Sequence, residues 1–200
     1  LLCKERSLKF WCKLMAQTES NSYKMYHELF NINSSWSNKI NSIIDHLGLS
    51  DIRLNFDSQC NYFPMLKTRL RDQFIQNWNT DVNSSPKLEY YCKFKKHFNF
   101  ESYLINISND HLRKIFTRFR VGSHTLDIET GRYHQIPREN RLCRICNSNS
   151  VESEYHFFMC CPKYSQLRSQ YFNGISWPCL NKFFNIISSP KIKHIHKVAL

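Results

Sequence analysis

The chain has 200 residues, a formal net charge of +12 and a pI near 9.4, with 42% hydrophobic and 14% aromatic residues. This composition can supply a core and excludes wholesale disorder, while 4 Gly and 6 Pro are too few for a turn-rich all-β sandwich. The surplus of 28 Lys+Arg over 16 Asp+Glu favours a polyanionic partner, either nucleic acid or an acidic membrane face.

Apolar residues at helical spacing predict three helices in the N-terminal part of the chain, over 7–16, 34–47 and about 64–78. Ser34 or Ser35 can cap the second helix, and Gly48 can end it. Pro64 suits the first turn of the third helix, where no amide donor is needed. We expect the polar segment 79–86 to end that helix.

The middle of the chain is more basic. Aromatic and basic residues mix over 87–98, and a further helix with an apolar inner stripe is predicted over 109–120. The helical period is lost from Leu126 to Leu142, so we expect an extended or hairpin lead-in there. Short helices are predicted again over 163–173, 178–188 and 191–200.

A group of cysteines and a histidine follows this lead-in. Cys143 and Cys146 are separated by two residues, a spacing that lets two thiolates from one tight turn bind the same ion. His156 comes next, and Cys160 and Cys161 follow it. Three sulfurs and one imidazole nitrogen are the donors of a structural zinc site. We therefore predict one Zn²⁺ bound by Cys143, Cys146, His156 and a final cysteine.

The residues themselves leave the final ligand open between Cys160 and Cys161. In a regular helix His156 and Cys160 would lie at i and i+4 on one face, which favours Cys160. Pro162, however, disfavours helical dihedral angles at Cys161, so the helix can end there and Cys161 can turn back to the metal. Four protein ligands leave the ion no open position for a reactive water, so we expect the zinc to be structural.

These features together predict a mainly α protein. We expect a helical domain over 1–122, a small appended zinc finger (a hairpin or knuckle plus a helix) over 123–175, and C-terminal helices over 176–200. Nine cysteines, without a secretion signal or an apolar run of about 18 residues, predict an intracellular protein of the nucleus or cytoplasm with no membrane partner. Because the chain begins at Leu1 rather than Met, we expect a fragment of a longer protein.

A family resemblance rests first on three runs, Phe116–His124, Leu126–Arg132 and Ile136–Arg138. These runs resemble the region downstream of the reverse transcriptase in invertebrate non-LTR (LINE-type) retrotransposon polyproteins. The Cys/His group, with Glu154–Phe158, Cys161-Pro162 and Leu167-Arg168, is similar to the zinc-binding element that closes those proteins. Leu66–Trp78 also looks like that family, and the resemblance is most specific over 112–172.

The resemblance implies a nucleic-acid-binding module. In that family the finger and the helical segment before it contact template RNA or target DNA during target-primed reverse transcription. It also implies that Cys161, rather than Cys160, is the fourth zinc ligand, and that the partner upstream is the reverse-transcriptase domain of the same polyprotein. This chain has no Tyr-x-Asp-Asp motif and no Gly-rich phosphate loop, so we expect no catalytic residues in it.

Carried onto this sequence, the resemblance implies six candidate phosphate contacts, namely Arg118, Arg120, Arg132, Arg138, Arg141 and Arg144. The planar guanidinium of arginine suits phosphate recognition better than the point charge of lysine. Each neutralised phosphate releases counterions, so binding would be sensitive to salt and largely independent of nucleotide sequence. The alternative is a zinc-stapled helical scaffold or interaction domain that binds no nucleic acid.

Overall fold

A computed structural model describes residues 1–32, 34–172 and 178–188. Over these residues the chain is mainly α-helical, as predicted, and its β pairing is one isolated antiparallel bridge between Leu142 and Val151. The α-helices are α1 (Leu2–Met15), α2 (Asn21–Asn31), α3 (Ser35–His46), α4 (Ser50–Leu54), α5 (Phe63–Ser84), α6 (Tyr91–Phe94), α7 (Tyr103–Asn106), α8 (Asp110–Arg120), α9 (Asp127–Tyr133), α10 (Ser165–Tyr171) and α11 (Leu180–Ser188).

The chain divides into two compact units, Leu1–Thr80 and Asp81–Leu200. This division lies within α5 and differs from the domain boundaries expected after residues 122 and 175. The helices between Asp81 and Arg120 belong to the second unit because they pack on its later part: the ring of Phe119 lies 6.3 Å from that of Phe158. The Cys/His segment (residues 142–161) and the basic helix before it are therefore parts of one unit.

An apolar core fills the first unit. Leu8 and Trp11 of α1, one helical turn apart, are fully buried there. Ile40 and Ile44 of α3 lie at i and i+4 and bury the facing side, and Leu66 of α5 completes the centre. Each of these side chains stabilises the fold by about 1.5–3 kcal/mol through burial.

Both ends of α3 confirm the prediction. The Ser34 hydroxyl accepts a hydrogen bond from the backbone N–H of Ser37 at 3.3 Å, so Ser34 is the N-cap and Ser35 is the first helical residue. Gly48 follows the last turn with φ of +68°, a left-handed conformation that glycine adopts without strain. The helix therefore begins and ends where its sequence signals lie.

The prediction that the polar segment 79–86 ends α5 is wrong by several residues. The helix continues to Ser84 because buried Val82 lies four residues after Trp78 and extends the inward-facing row. The intervening polar residues Thr80, Asp81 and Asn83 are exposed. They form the solvated face of the helix rather than a break in it.

The helices α2, α4, α6 and α7 were not predicted. Ser20 caps the start of α2, Tyr26 is buried, and Tyr23 and Phe30 on the same face pack against the core, so this helix did carry an apolar period that the prediction missed. The helices α4 and α7 are single turns of five and four residues. Tertiary packing rather than a repeating pattern holds such short elements.

The lead-in expected to be extended between Leu126 and Leu142 is instead helical in two places. It forms α9 and a 3₁₀ turn over Arg138–Asn140. Distant groups bind the first turn of α9: the Glu152 carboxylate accepts from the backbone N–H of Asp127 at 2.7 Å. The Arg141 guanidinium donates to the Ile128 carbonyl at 2.9 Å. These contacts do not produce a helical period of apolar residues in the sequence of the segment.

The last helices broadly follow their prediction. The helix α8 begins after Asn109, whose side chain accepts from the Leu112 N–H at 3.1 Å. The helices α10 and α11 lie within the segments predicted as helical, 163–173 and 178–188. The helix predicted over 191–200 lies outside the described residues. Within the described residues, no helix has both the length and the hydropathy needed to cross a bilayer.

Candidate metal centre

A short knuckle, residues 142–151, positions the first two cysteines. The bridge between Leu142 and Val151 closes it, and the Cys143 N–H donates to the Ser150 carbonyl at 2.9 Å. Asn149 turns the chain with φ of +49°, a conformation that asparagine tolerates better than most residues. The polar tract that follows Cys146 therefore makes the reversal that its composition indicates.

A helical turn positions the other two side chains. Residues His156–Cys160 form a π-helical turn, in which the Cys161 N–H donates to the His156 carbonyl at 2.7 Å. Cys161 itself has φ of −58° and ψ of 120°, outside the helical region, as expected for a residue that precedes proline. The chain thus leaves the helix at Cys161 and directs its sulfur to the same point as the imidazole of His156.

Cys143, Cys146, His156 and Cys161 come together, and all four are buried. Their ligand atoms lie within 4.8 Å of one another, and the Cys146 sulfur is 3.4 Å from His156 Nε2. In a tetrahedral zinc site, bonds of about 2.3 Å to sulfur and 2.0 Å to nitrogen would separate these two atoms by about 3.5 Å. Three sulfurs and one nitrogen in this arrangement could hold a metal ion.

Cys160 is not part of this group. It packs on a different apolar cluster, around Met159 and Phe183. The regular helix that would have placed Cys160 beside His156 does not form, because the turn is π-helical and ends before Pro162. The sequence left the fourth ligand open between Cys160 and Cys161. In the structure, Cys161 belongs to the group.

Comparison with known proteins gives no relative for this chain: the sequence matches no protein-family model, no curated protein and no solved structure. The chemistry of the Cys/His group is therefore inferred from its donor atoms, from their burial and from the distances between them.

Several polar groups surround the sulfurs. The Ser148 hydroxyl lies 3.0 Å from the Cys146 sulfur and lowers the pKa of that thiol, whereas burial raises the pKa of Cys143. Glu152 lies 3.6 Å from the Cys143 sulfur, and the Arg168 guanidinium donates to the Cys161 carbonyl at 2.7 Å. Neither Ser148 nor Glu152 was predicted from the sequence, and Arg168 entered only as part of the family resemblance. The sequence offered one signal for such groups, namely a serine or an acidic residue that lies between the metal ligands.

Two buried acids, Glu152 and Glu154, fix the Cys/His segment to the helices before it. The Oε1 atom of Glu154 lies 2.9 Å from His124 Nε2, within hydrogen-bonding distance. Glu152 bonds the N-terminus of α9 through its carboxylate and its carbonyl. Both acids are buried, and their partners precede them by 24 to 30 residues. The chain between the two ligand pairs is therefore also the attachment point of the segment.

Two of the six candidate arginines are structural. Arg120 is buried, and its guanidinium pairs with Glu101 at 2.8 Å and donates to the Ile187 carbonyl. It also lies over the rings of Phe94 and Tyr103, at 4.6 and 4.7 Å. This corrects its expected role, because a side chain enclosed in this way cannot reach a phosphate. Arg141 likewise bonds two carbonyls, those of Ile136 and Ile128.

The other four arginines lie at or near the surface of the second unit. Arg132 pairs with Glu129 at 2.9 Å, Arg138 with Glu89 at 2.6 Å, and Arg144 with Asp127 at 2.6 Å. Arg118 is exposed on α8, and its side chain makes no hydrogen bond or ion pair with any residue that the structure describes. The pair of Arg138 is exposed on both sides and therefore weak, so this guanidinium can exchange partners. The Arg144 guanidinium is 79% exposed, whereas its partner Asp127 is 14% exposed.

Proposed function

We propose that the chain is a zinc-stabilised, nucleic-acid-binding module, the C-terminal part of a retrotransposon-derived reverse transcriptase. Its role would be to position template RNA or target DNA for chemistry done by upstream domains of the same polyprotein. The observation that carries this proposal is the buried group of three cysteines and one histidine, whose ligand atoms lie within 4.8 Å. The sequence resemblance connects that group with nucleic acid.

Zinc suits this site because its ligands are soft thiolates and an imidazole in a closed set of four. An ion with four protein ligands would leave no position for water, so its role would be to hold the fold. Structural zinc contributes about 10–16 kcal/mol to small modules of this kind. It would clamp the knuckle at Cys143 to the turn that ends at Cys161.

The distribution of charge supports nucleic acid as the partner. Residues 81–200 carry 18 Lys+Arg and 9 Asp+Glu, whereas residues 1–80 carry 10 and 7. Most of the net charge of +12 therefore lies on the unit that contains the Cys/His group. Arg118, Arg138 and Arg144 are the exposed arginines of the predicted set, and a phosphate could replace the carboxylates that now face the last two.

One observation favours the alternative of a scaffold without nucleic-acid binding. Of the six predicted arginines, Arg120 and Arg141 are used inside the fold, and Arg132 is held by buried Glu129. A module in which half of the candidate contacts are already engaged has a smaller basic surface than its net charge indicates. The test must therefore measure binding directly.

The test compares two neighbouring cysteines in the full chain. Cys161→Ser is expected to lose the zinc, unfold the Cys/His segment and weaken binding of an unstructured RNA by at least about tenfold, because the remaining three ligands cannot close the site. Cys160→Ser is the matched control and is expected to retain both zinc and affinity. Metal analysis and fluorescence anisotropy measure the two properties separately.

A salt titration then separates the two functions. Between about 50 and 200 mM salt, a module that neutralises several phosphates should lose affinity steeply. Absence of binding at low salt would contradict nucleic-acid binding and support the scaffold. Retention of zinc and of full affinity by Cys161→Ser would contradict the site itself.

A further inference from the structure

An open apolar cleft lies beside the Cys/His group, entirely within the second unit. Its volume of about 610 Å³ falls in the range of sites that bind small ligands. Its walls come from α8 and the segment 123–127, from the two residues between Cys143 and Cys146, from Glu152, from the segment between Phe157 and Tyr164, and from α11. The lining therefore includes two carboxylates, those of Asp127 and Glu152. The four side chains of the Cys/His group do not line it.

The lining of the cleft is largely aromatic and aliphatic. The ring of Phe157 lies 4.8 Å from that of Tyr164 and 6.0 Å from that of Phe119, and all three are only partly buried. Ile115 of α8 and Ile145 of the knuckle are 39% and 43% exposed. Apolar and aromatic surface is therefore open to solvent within the cleft, which is typical of a binding site.

Two cations border this apolar lining. The exposed side chain of Arg118 has no partner among the residues described, and Arg144 is 79% exposed beside its pair with Asp127. Asp127 is only 14% exposed but also accepts a hydrogen bond from the Thr130 hydroxyl at 3.0 Å, so the Arg144 guanidinium can turn to a phosphate without leaving that carboxylate unpaired. Exposed cations next to open aromatic faces match the two parts of a nucleotide, a charged phosphate and a flat apolar base.

We propose that this cleft receives an unpaired nucleobase whose neighbouring phosphates bind Arg118 and Arg144, so that the module selects single-stranded nucleic acid over duplex. This inference rests on the proposed nucleic-acid binding and specifies its substrate. Bases within a duplex are stacked and paired and present no free face to the cleft. RNA and DNA share the chemistry involved, and the test includes both.

The metal site and the cleft are linked through the knuckle. Arg144 and Ile145 are the two residues between Cys143 and Cys146, and both line the cleft. An ion held by the two cysteines would fix the backbone that carries this wall. Phe157, which follows the ligand His156, lines the cleft from the other ligand pair. A metal ion would thereby set the width of the proposed base site.

The experiment uses the full chain and labelled oligonucleotides of about 16 nucleotides, the upper site size of a single-strand-binding module. The probes are an unstructured RNA, the corresponding DNA, a duplex of the same sequence, and a single strand with abasic central positions. Because stacking of one base contributes about 1–3 kcal/mol, the duplex and the abasic strand should bind about tenfold more weakly than the intact single strand. Anisotropy at fixed salt measures all four.

Two variants locate the effect. Arg118→Gln should weaken single-strand binding and reduce the preference over duplex, whereas Arg138→Gln removes an equal charge outside the cleft and should leave the preference unchanged. Ile115→Ser alters the exposed apolar wall without changing charge, and it should reduce the preference over the abasic strand. Circular dichroism should show that each variant retains its helices.

The outcomes separate this inference from the proposed function. Equal affinity for the intact single strand, the duplex and the abasic strand overturns the base site but leaves electrostatic nucleic-acid binding in place. A preference that neither Arg118→Gln nor Ile115→Ser changes also overturns it and leaves the cleft to a protein partner. Absence of binding to every probe at low salt overturns the proposed function itself.

Discussion

The two units of the chain are stabilised by different means. Within Leu1–Thr80, twelve buried side chains form one apolar cluster around Trp11, and the polar residue buried there is Ser37. Within the described part of Asp81–Leu200, the buried apolar residues other than Val82, Ile128 and Phe172 fall into three small clusters, one of which is the cysteine group itself. That unit buries charged residues instead, namely Lys95, Arg120, Glu129, Glu152, Glu154 and Arg168.

The comparison indicates what each unit depends on. An apolar core stabilises through many small contacts, so it tolerates volume-conserving exchange of its side chains, whereas truncation of a large one is costly. Buried charges stabilise only while each keeps its partner, because an unpaired buried charge costs several kcal/mol. The second unit has little continuous apolar core and many buried charges. A bound metal ion would therefore contribute more to its stability than to that of the first unit.

Removal of the metal should have the largest effect. A strong chelator is expected to abolish amide protection across the Cys/His segment and its attached helix α9, because structural zinc contributes about 10–16 kcal/mol. Protection within α1 and α3 should persist. Lowering the pH should act in the same direction, since the thiols and the imidazole must be deprotonated to bind metal. Hydrogen exchange on the full chain measures both regions, and equal loss in both would contradict the comparison.

Truncation of the first core should have the next largest effect. Trp11→Ala removes a fully buried ring whose Nε1 donates to the Tyr26 hydroxyl at 3.0 Å, and it should cost about 3–5 kcal/mol. Zinc content should not change. Phe10→Ala is the control: Phe10 is 57% exposed and contacts the ring of Trp36, so its loss should cost about 1 kcal/mol. A denaturant melt of the full chain gives both values.

Loss of a buried charge in the second unit should have the next largest effect on the free energy of unfolding. Arg120→Met removes the pair with Glu101, which keeps its other partner Lys95, so the expected cost is about 3 kcal/mol, the lower end for a broken buried pair. Arg118→Met, two residues earlier on the exposed face of α8, should change the free energy of unfolding by less than about 0.5 kcal/mol. Equal effects of the two variants would show that burial of Arg120 is not required.

A pair of glycines tests a smaller, local difference. Gly122 has φ of +60°, and a Cβ there would lie 2.5 Å from the Lys87 carbonyl oxygen. Gly48 has a similar φ of +68° but open space around it. Gly48→Ala should therefore cost about 1 kcal/mol from backbone strain alone, and Gly122→Ala should cost about 2 kcal/mol or more. Equal costs in a denaturant melt would contradict the close approach of Lys87 to the turn after α8.

Sequence-based prediction succeeded where the signal was local. The limits of α3 follow from Ser34 and Gly48, because a cap and a left-handed glycine act on their own neighbours. The non-helical backbone at Cys161 follows in the same way from Pro162. The spacing of Cys143 and Cys146 was sufficient to predict that both would face one point.

Sequence-based prediction failed where residues far apart in the chain determine the local structure. The helix α9 depends on Glu152 and Arg141, and neither lies in the helix that they stabilise. Arg120 looked like its exposed neighbour Arg118, because a basic helical pattern does not show that Glu101 and two aromatic rings will enclose one of the two. The number of charged residues predicts the class of partner, whereas burial determines which charged side chains remain available to bind that partner.

The most direct measurement is X-ray absorption at the zinc edge of the full chain, purified in the presence of zinc. We predict one tightly held ion with three sulfur neighbours at about 2.3 Å and one nitrogen at about 2.0 Å. One sulfur should be lost in Cys161→Ser and none in Cys160→Ser. Oxygen or nitrogen neighbours alone, or a spectrum that Cys161→Ser leaves unchanged, would contradict the proposed metal centre.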